Sequence, residues 1–170
     1  MSTNMLNELI VIGGGAAGML AAGTAAEQGA RVVLLEPNDR LGKKLYITGK
    51  GRCNVTNDCP PEDFFKNVPR NPRFLYSSIY AFPPSSMMEL LERLGCPLKT
   101  ERGARVFPQS DRSASVIDAL RAYLRAGGVQ IKRCRAEKIL TENSAVTGVK
   151  TDAGDIAARA VILATGGCSY

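Results

Sequence analysis

Glu8-Leu9-Ile10-Val11-Ile12-Gly13-Gly14-Gly15-Ala16-Ala17-Gly18 opens the stretch that decides the fold, and Arg31-Val32-Val33-Leu34-Leu35-Glu36 closes it. Leu9 to Ile12 is a short apolar run bounded by glycine, the mark of a buried strand. Ala16 to Gln28 is alanine-rich and predicts a helix, with Gly29 placed to end it. Arg31 to Glu36 is a second buried strand. Strand, helix and strand in about thirty residues make a βαβ unit with a parallel pair.

The turn between strand and helix reads Gly13-x-Gly15-x-x-Gly18. Gly13 serves the tight turn, Gly15 the close approach of backbone to a pyrophosphate, and Gly18 the packing of helix on strand. The helix N-terminus offers free N–H groups and a partial positive charge to phosphates. Ala22 keeps that helix face small. Glu36, 18 residues after Gly18, is an acid suited to the ribose hydroxyls of an adenosine, and it would repel a 2′-phosphate. The fingerprint does not separate FAD from NAD.

Downstream, Arg40, Lys43, Lys44, Lys50 and Arg52 lie in a stretch without Asp or Glu. It reads as a basic loop that suits a pyrophosphate or is merely solvated. Pro60 to Phe82 has a weak helical pattern. Pro83-Pro84-Ser85-Ser86 opens a helix to about Leu94, and Leu98 to Phe107 reads as two strands around Gly103. Ser113 to Ala126 is an amphipathic helix with Val116, Leu120 and Leu124 on one face and Ile117, Ala119 and Tyr123 beside them. Val129 to Leu140 is strand-like. Asn143-Ser144 is a turn, Ala145 to Lys150 a strand, Asp152 to Asp155 a hairpin turn, and Ala160 to Ala164 a last apolar strand.

The 170 residues carry a net charge of +6, with 45% hydrophobic and 22% charged residues, as in one ordinary globular domain. There is no histidine, so triads and Cys/His zinc sites cannot be assembled from this chain, and no metal site is expected. Five scattered cysteines fit a reducing, cytoplasmic setting. The uncharged run Leu9 to Ala26 is too rich in glycine and alanine for a membrane span, and no membrane partner is expected. Aromatic residues make up 6% of the chain, so an RNA-binding platform, and a nucleic-acid partner generally, is not expected despite the positive charge.

Gly42-Lys43-Lys44-Leu45, Thr48-Gly49-Lys50-Gly51-Arg52-Cys53-Asn54-Val55-Thr56-Asn57, Arg105-Val106-Phe107-Pro108 and Ala164-Thr165-Gly166-Gly167-Cys168-Ser169-Tyr170 give a closer identification. With these motifs the chain resembles the bacterial aminoacetone oxidase-like, or BaiN-like, FAD-dependent oxidoreductases over essentially its whole length. The resemblance implies an α/β doubly wound parallel sheet, FAD-binding and Rossmann-like, of the two-dinucleotide-binding flavoprotein type, with a small β-hairpin insertion. It implies FAD as cofactor and hydride transfer with a small organic substrate, NAD(P)H being a candidate donor in the full-length protein. Gly13, Gly15, Ala16, Ala17 and Gly18 would hold the pyrophosphate and Glu36 the ribose, with Pro37 and Arg40 counted beside them. Lys44, Gly51, Arg52, Cys53, Asn54 and Thr56 would line the flavin side, Ala136 the adenine, and Ala164, Thr165 and Gly166 the strand-end turn beside the cofactor.

Family members continue with a largely β domain and a returning glycine-rich segment. Residues 1–170 are therefore expected to be the N-terminal FAD-binding domain of a truncated chain, lacking the substrate domain and the return segment. Three other readings are an NAD-dependent dehydrogenase, a non-catalytic nucleotide-binding fragment and, prompted by the positive charge, an RNA-associated flavoprotein. No catalytic acid or base stands out. Cys53 reads as a packed small side chain rather than half of a dithiol with Cys59, and Tyr123 as a half-buried helix residue.

Overall fold

The computed structural model describes residues 7–167. In chain order it contains β1 (Asn7–Ile12), α1 (Ala16–Glu27), β2 (Val32–Leu35), a 3₁₀ turn (Leu45–Gly51), β3 (Thr56–Asn57) and α2 (Pro61–Lys66). A second 3₁₀ turn (Pro72–Leu75) leads into α3 (Tyr76–Ala81), α4 (Pro84–Arg93), β4 (Leu98–Glu101), β5 (Arg105–Pro108) and α5 (Ser113–Ala126). The chain closes with β6 (Gln130–Lys132), β7 (Ala136–Glu142), β8 (Ala145–Thr151) and β9 (Gly154–Leu163). It divides into two compact units, Met1–Lys44 with Leu120–Tyr170, and Leu45–Ala119. Among the described residues no helix is long and apolar enough to cross a membrane.

The first unit is built on a six-stranded sheet in the order β6-β2-β1-β9-β8-β7. Pairings β6–β2, β2–β1 and β1–β9 are parallel. All four residues of β2 are buried, and Ile10 and Val11 of β1 are fully so. That is why both strands are continuous apolar runs rather than alternating ones. Each such side chain contributes about 1.5–3 kcal/mol on burial.

Alanine dominates α1, which supplies helix propensity without bulk. Its buried face is Gly18, Met19, Ala22 and Gly23. At Gly23 an added Cβ would lie 2.3 Å from Cδ1 of Tyr123, so the missing methyl makes room for that ring. Tyr123 is 5% exposed, more buried than the sequence suggests, and its hydroxyl donates to Glu27. The other apolar residues singled out on α5 are all buried.

The strand-like stretch Val129 to Leu140 holds two strands. β6 ends at Lys132, and β7 begins at Ala136 against a different neighbour, β8. Between them Cys134 turns into a buried cluster with Ile10, Ile12, Val33, Leu35, Val149 and Ala158. Asp152 anchors the crossing, its Oδ1 accepting the Arg135 N–H at 2.8 Å. A β-rich pattern encodes strand propensity but not the partner, which lies far along the chain.

The last strand is longer than the apolar run Ala160 to Ala164. Its first residues, Gly154 to Ala157, pair antiparallel with β8, and Ala158 to Leu163 pair in parallel with β1. One strand thus joins the hairpin insertion to the parallel sheet.

In the second unit β3, β5 and β4 form a small antiparallel sheet in that order. β4 and β5 are joined through Gly103 at φ +76°, as the pattern around that glycine predicts. The basic stretch from Arg40 to Arg52, read as a loop, contains the 3₁₀ turn Leu45–Gly51, and β3 follows it.

Candidate functional site

The glycine loop sits at the carboxyl end of β1, and each glycine meets different surroundings. Gly13 has φ +109°, and a Cβ there would lie 2.4 Å from the carbonyl oxygen of Ala164. At Gly18 a Cβ would lie 1.8 Å from the Gly13 carbonyl oxygen. At Gly14 it would meet Leu41 Cδ2 at 2.5 Å and Glu36 Oε2 at 3.0 Å. These three glycines serve the chain's own packing.

Gly15 differs. It has φ −78°, which any residue tolerates, and a Cβ there meets nothing within 4 Å. Its open side is the mouth of α1. Gly15 is the N-cap and gives no side-chain cap, and the first turn holds no acidic residue. Ala16 and Ala17 are exposed. The orphan N–H groups of the first turn therefore face outward beside the positive end of the helix dipole. An open helix start of this kind makes a cradle that can receive an anion approaching the backbone closely.

The strand-end turn lies directly beneath the cradle. The Ala164 N–H donates to Ile12 O at 2.8 Å, and the Gly13 N–H to Leu35 O at 2.8 Å. Gly166 takes φ +82° with open space around it, and Thr165 is exposed. Cys168, Ser169 and Tyr170 of the terminal motif lie outside the described residues.

Glu36 is 9% exposed. Its Oε2 accepts the Gly14 N–H at 2.8 Å, and its Oε1 accepts the Asn38 N–H at 2.9 Å and Asn38 Nδ2 at 2.6 Å. The acid thus braces the glycine loop from the end of β2. The basic loop that follows is tied to the same place, with the Gly42 N–H donating to Gly14 O at 2.8 Å. Arg40 and Lys44 are exposed, as is Pro37. Ala136 is half-buried at the head of β7 and packs against the cluster around Ile10. The first unit therefore collects Gly13, Gly15, Ala16, Ala17, Gly18, Glu36 and Ala164 around one cradle. The bracing by Asn38, Leu41 and Gly42 carried no signal in the fingerprint.

Gly51, Arg52, Cys53, Asn54 and Thr56 belong to the second unit. Their backbone is unusual. Gly49, Lys50, Gly51 and Cys53 all have positive φ, between +56° and +86°. For Lys50 and Cys53 this costs about 1–2 kcal/mol each, which the surroundings must offset. The curl is closed by the Cys53 N–H to Thr48 O at 3.0 Å and the Arg52 N–H to Gly49 O at 3.2 Å. Cys53 is 1% exposed, and burial pushes its thiol up, against a smaller opposing effect of Thr48. It is a packed thiol rather than a thiolate nucleophile. Asn54, Thr56, Cys59, Phe64, Asn67 and Val68 help line a cleft of about 450 Å³.

The Arg52 guanidinium is engaged within the unit. It forks onto Glu101 at 2.9 and 3.1 Å, reaches Asp111 at 3.0 Å, and stacks 4.1 Å over the Phe107 ring. Lys99 closes the network at 2.6 Å from Asp111 and 3.4 Å from Glu101. The Arg52 hydrogen bond foremost holds Glu101 below the usual carboxylate range, and that from Lys99 foremost does so for Asp111. The same contacts raise Arg52 and Lys99.

A carboxyl lowered in the folded state stabilises above its unfolded pKa and loses that contribution as pH falls through the folded one. Cations raised in the folded state contribute fully below their unfolded values. The network is therefore whole at neutral pH and dismantled only in acid, below the usual carboxylate range. The melting-temperature gap between the unaltered chain and Arg52→Gln is expected to be modest at pH 7 and to close as the pH falls below the usual carboxylate range. A gap that does not change with pH would mean that Arg52 acts through its stack on Phe107 alone.

Comparison with known proteins agrees with this geometry. The profile of the family described as HI0933-like protein Rossmann domain matches residues 7–170. The chain is 34% identical over 164 residues to the 3-dehydro-bile acid delta(4,6)-reductase of Clostridium scindens, covering 95% of this chain and 39% of that protein. It is 29% identical over 164 residues to the ribosomal RNA dihydrouridine synthase of Escherichia coli, covering 95% of this chain and 40% of that one. It thus spans about two fifths of the length of these curated relatives. Among solved structures, 3-ketosteroid-delta4-(5alpha)-dehydrogenase from Rhodococcus jostii RHA1 superposes with a TM-score of 0.68 at 18% identity, covering 97% of this chain and 47% of that one. That likeness shows the fold.

Proposed function

The chain belongs to the HI0933-like protein Rossmann domain family, and from that premise we propose that it is the FAD-binding portion of a flavin-dependent oxidoreductase. The observation that carries the reading is the open face at Gly15. Among Gly13, Gly14, Gly15 and Gly18, it alone faces empty space, at the uncapped start of α1. A dinucleotide pyrophosphate fits there, with Glu36 within reach of the ribose. The flavin, when bound, supplies the two-electron chemistry; the protein binds and orients it.

The chain's own residues do the holding. Backbone N–H groups of the first turn of α1 donate to the pyrophosphate, and Glu36 accepts from the adenosine ribose. The Ala164–Gly166 turn supports the loop from below, and the signature Gly51 to Thr56 serves the flavin side. Both relatives' names denote saturation of a carbon–carbon double bond. The bile acid reductase favours a small organic substrate with such a bond, reduced by hydride transfer in the cytoplasm, with NAD(P)H as donor.

Flavin fluorescence titration of the purified chain tests the cofactor reading. FAD is expected to bind and ADP to displace it. FMN, which lacks the adenosine part read by the cradle, is expected to bind at least tenfold more weakly. Preference for NADH over FAD would replace the reading by the nucleotide-dehydrogenase one.

A second reading places the double bond in RNA, and one observation favours it. Six of the ten Phe and Tyr residues fall between Phe64 and Phe82. Phe65 packs 4.4 Å from Tyr76 and 5.6 Å from Tyr80. Phe74 is 77% exposed and Phe82 40%, with Arg70 and Arg73 exposed beside them. Exposed rings next to arginines suit stacked bases and phosphates. A single-stranded RNA oligonucleotide is then expected to bind with an affinity that falls steeply with salt and drops several-fold in Phe74→Ala. No binding at low salt would remove this reading.

A further inference from the structure

We infer that Asn38 is a second ribose-recognition residue, and that Glu36 and Asn38 together select an adenosine whose two ribose hydroxyls are both free; this rests on reading the first unit as a dinucleotide site. A carboxylate has about four acceptor positions on its two oxygens. Three at Glu36 are taken, one by the Gly14 N–H, one by the Asn38 N–H and one by Asn38 Nδ2. The remaining position is on Oε2, the oxygen that touches the glycine loop. Glu36 can therefore accept from one hydroxyl, while a ribose presents two.

Asn38 supplies what is missing. Its Nδ2 spends one N–H on Glu36 and keeps another. Its Oδ1 has one long contact, 3.5 Å from Lys43 Nζ, and keeps a free lone pair. The network fixes the amide orientation, because Glu36 only accepts and Lys43 only donates. Asn38 is exposed while Glu36 is buried, so it stands on the solvent side of the acid. A group that both donates and accepts suits the second hydroxyl of a diol whose first hydroxyl donates to Glu36. A 2′-phosphate would meet the Glu36 charge beside a neutral amide.

The backbone N–H of Asn38 holds Glu36 whatever the side chain. Asn38→Ala therefore keeps that brace and removes only the amide. Calorimetric titration of the purified chain with ADP and with 2′,3′-dideoxy-ADP separates contact from scaffolding. Asn38→Ala is expected to weaken ADP about tenfold, the loss of one hydrogen bond to ligand, and to leave the dideoxy nucleotide within twofold. Equal weakening of both nucleotides would show that Asn38 only shapes the loop, and no weakening of either would show that it makes no contact; both overturn the inference. If the unaltered chain bound neither ADP nor FAD, the dinucleotide reading itself would fall and take this inference with it.

Discussion

Gly18→Ala is expected to destabilise the chain by about 3 kcal/mol or more and to abolish cofactor binding. The added methyl would lie 1.8 Å from the Gly13 carbonyl oxygen and 3.0 Å from its carbon. Both atoms are backbone, in a loop pinned by the Gly13 N–H to Leu35 O. The only relief is to push α1 off the end of β1. Alanine is worth about 1 kcal/mol over glycine inside a helix, so propensity favours the substitution. Overpacking against backbone outweighs it. Denaturant unfolding of the variant measures the balance, and a stability equal to that of the unaltered chain would mean that the loop yields freely.

The second large effect is at Glu36. Glu36→Gln keeps the shape and exchanges one acceptor oxygen for a donor. Three N–H groups converge on this side chain from Gly14 and Asn38. In the amide at least one of them faces another donor in a site only 9% exposed. A hydrogen bond to a charged group is worth about 1.5–3 kcal/mol, and leaving its buried donor unsatisfied costs a similar amount. The expected loss is about 2–3 kcal/mol, or roughly 5–10 °C in melting temperature. FAD affinity should fall about a hundredfold, because the ribose acceptor and the brace on the loop fail together. A variant that melts normally but binds FAD poorly would assign Glu36 to the ligand alone.

The β1–α1–β2 unit was legible because its signals are local. Ile10 and Val33 sit in apolar runs, and the glycine spacing lies within one turn of chain. The packing places of two glycines were legible too, Gly13 at the turn and Gly18 at the helix–strand contact. What Glu36 binds within the chain was not legible. Its bond to Gly14 crosses 22 residues, and Asn38 belongs to no fingerprint.

Arg52 shows the same limit from the other side. Its sequence setting points to a cofactor, yet its guanidinium is shared by Glu101 and Asp111, 49 and 59 residues away. Composition also hides position. An average of 6% aromatic residues argues against a stacking surface, while folding gathers rings between Phe64 and Phe82 onto short neighbouring helices. Strand pairing after Val129 was not legible for a related reason, since β6 and β7 choose partners that no local pattern names.

The most direct test of the account is the visible absorbance spectrum of the purified chain and of Gly15→Ala, after adding FAD and removing the excess. Gly15 has an ordinary φ and empty space where the methyl would go, so the variant should lose at most about 1 kcal/mol, as a poorer helix N-cap. The account predicts a bound-flavin spectrum for the unaltered chain and none for the variant, with closely similar unfolding curves. Equal flavin retention by the two proteins would place the cofactor elsewhere and contradict the reading of the glycine loop as its cradle.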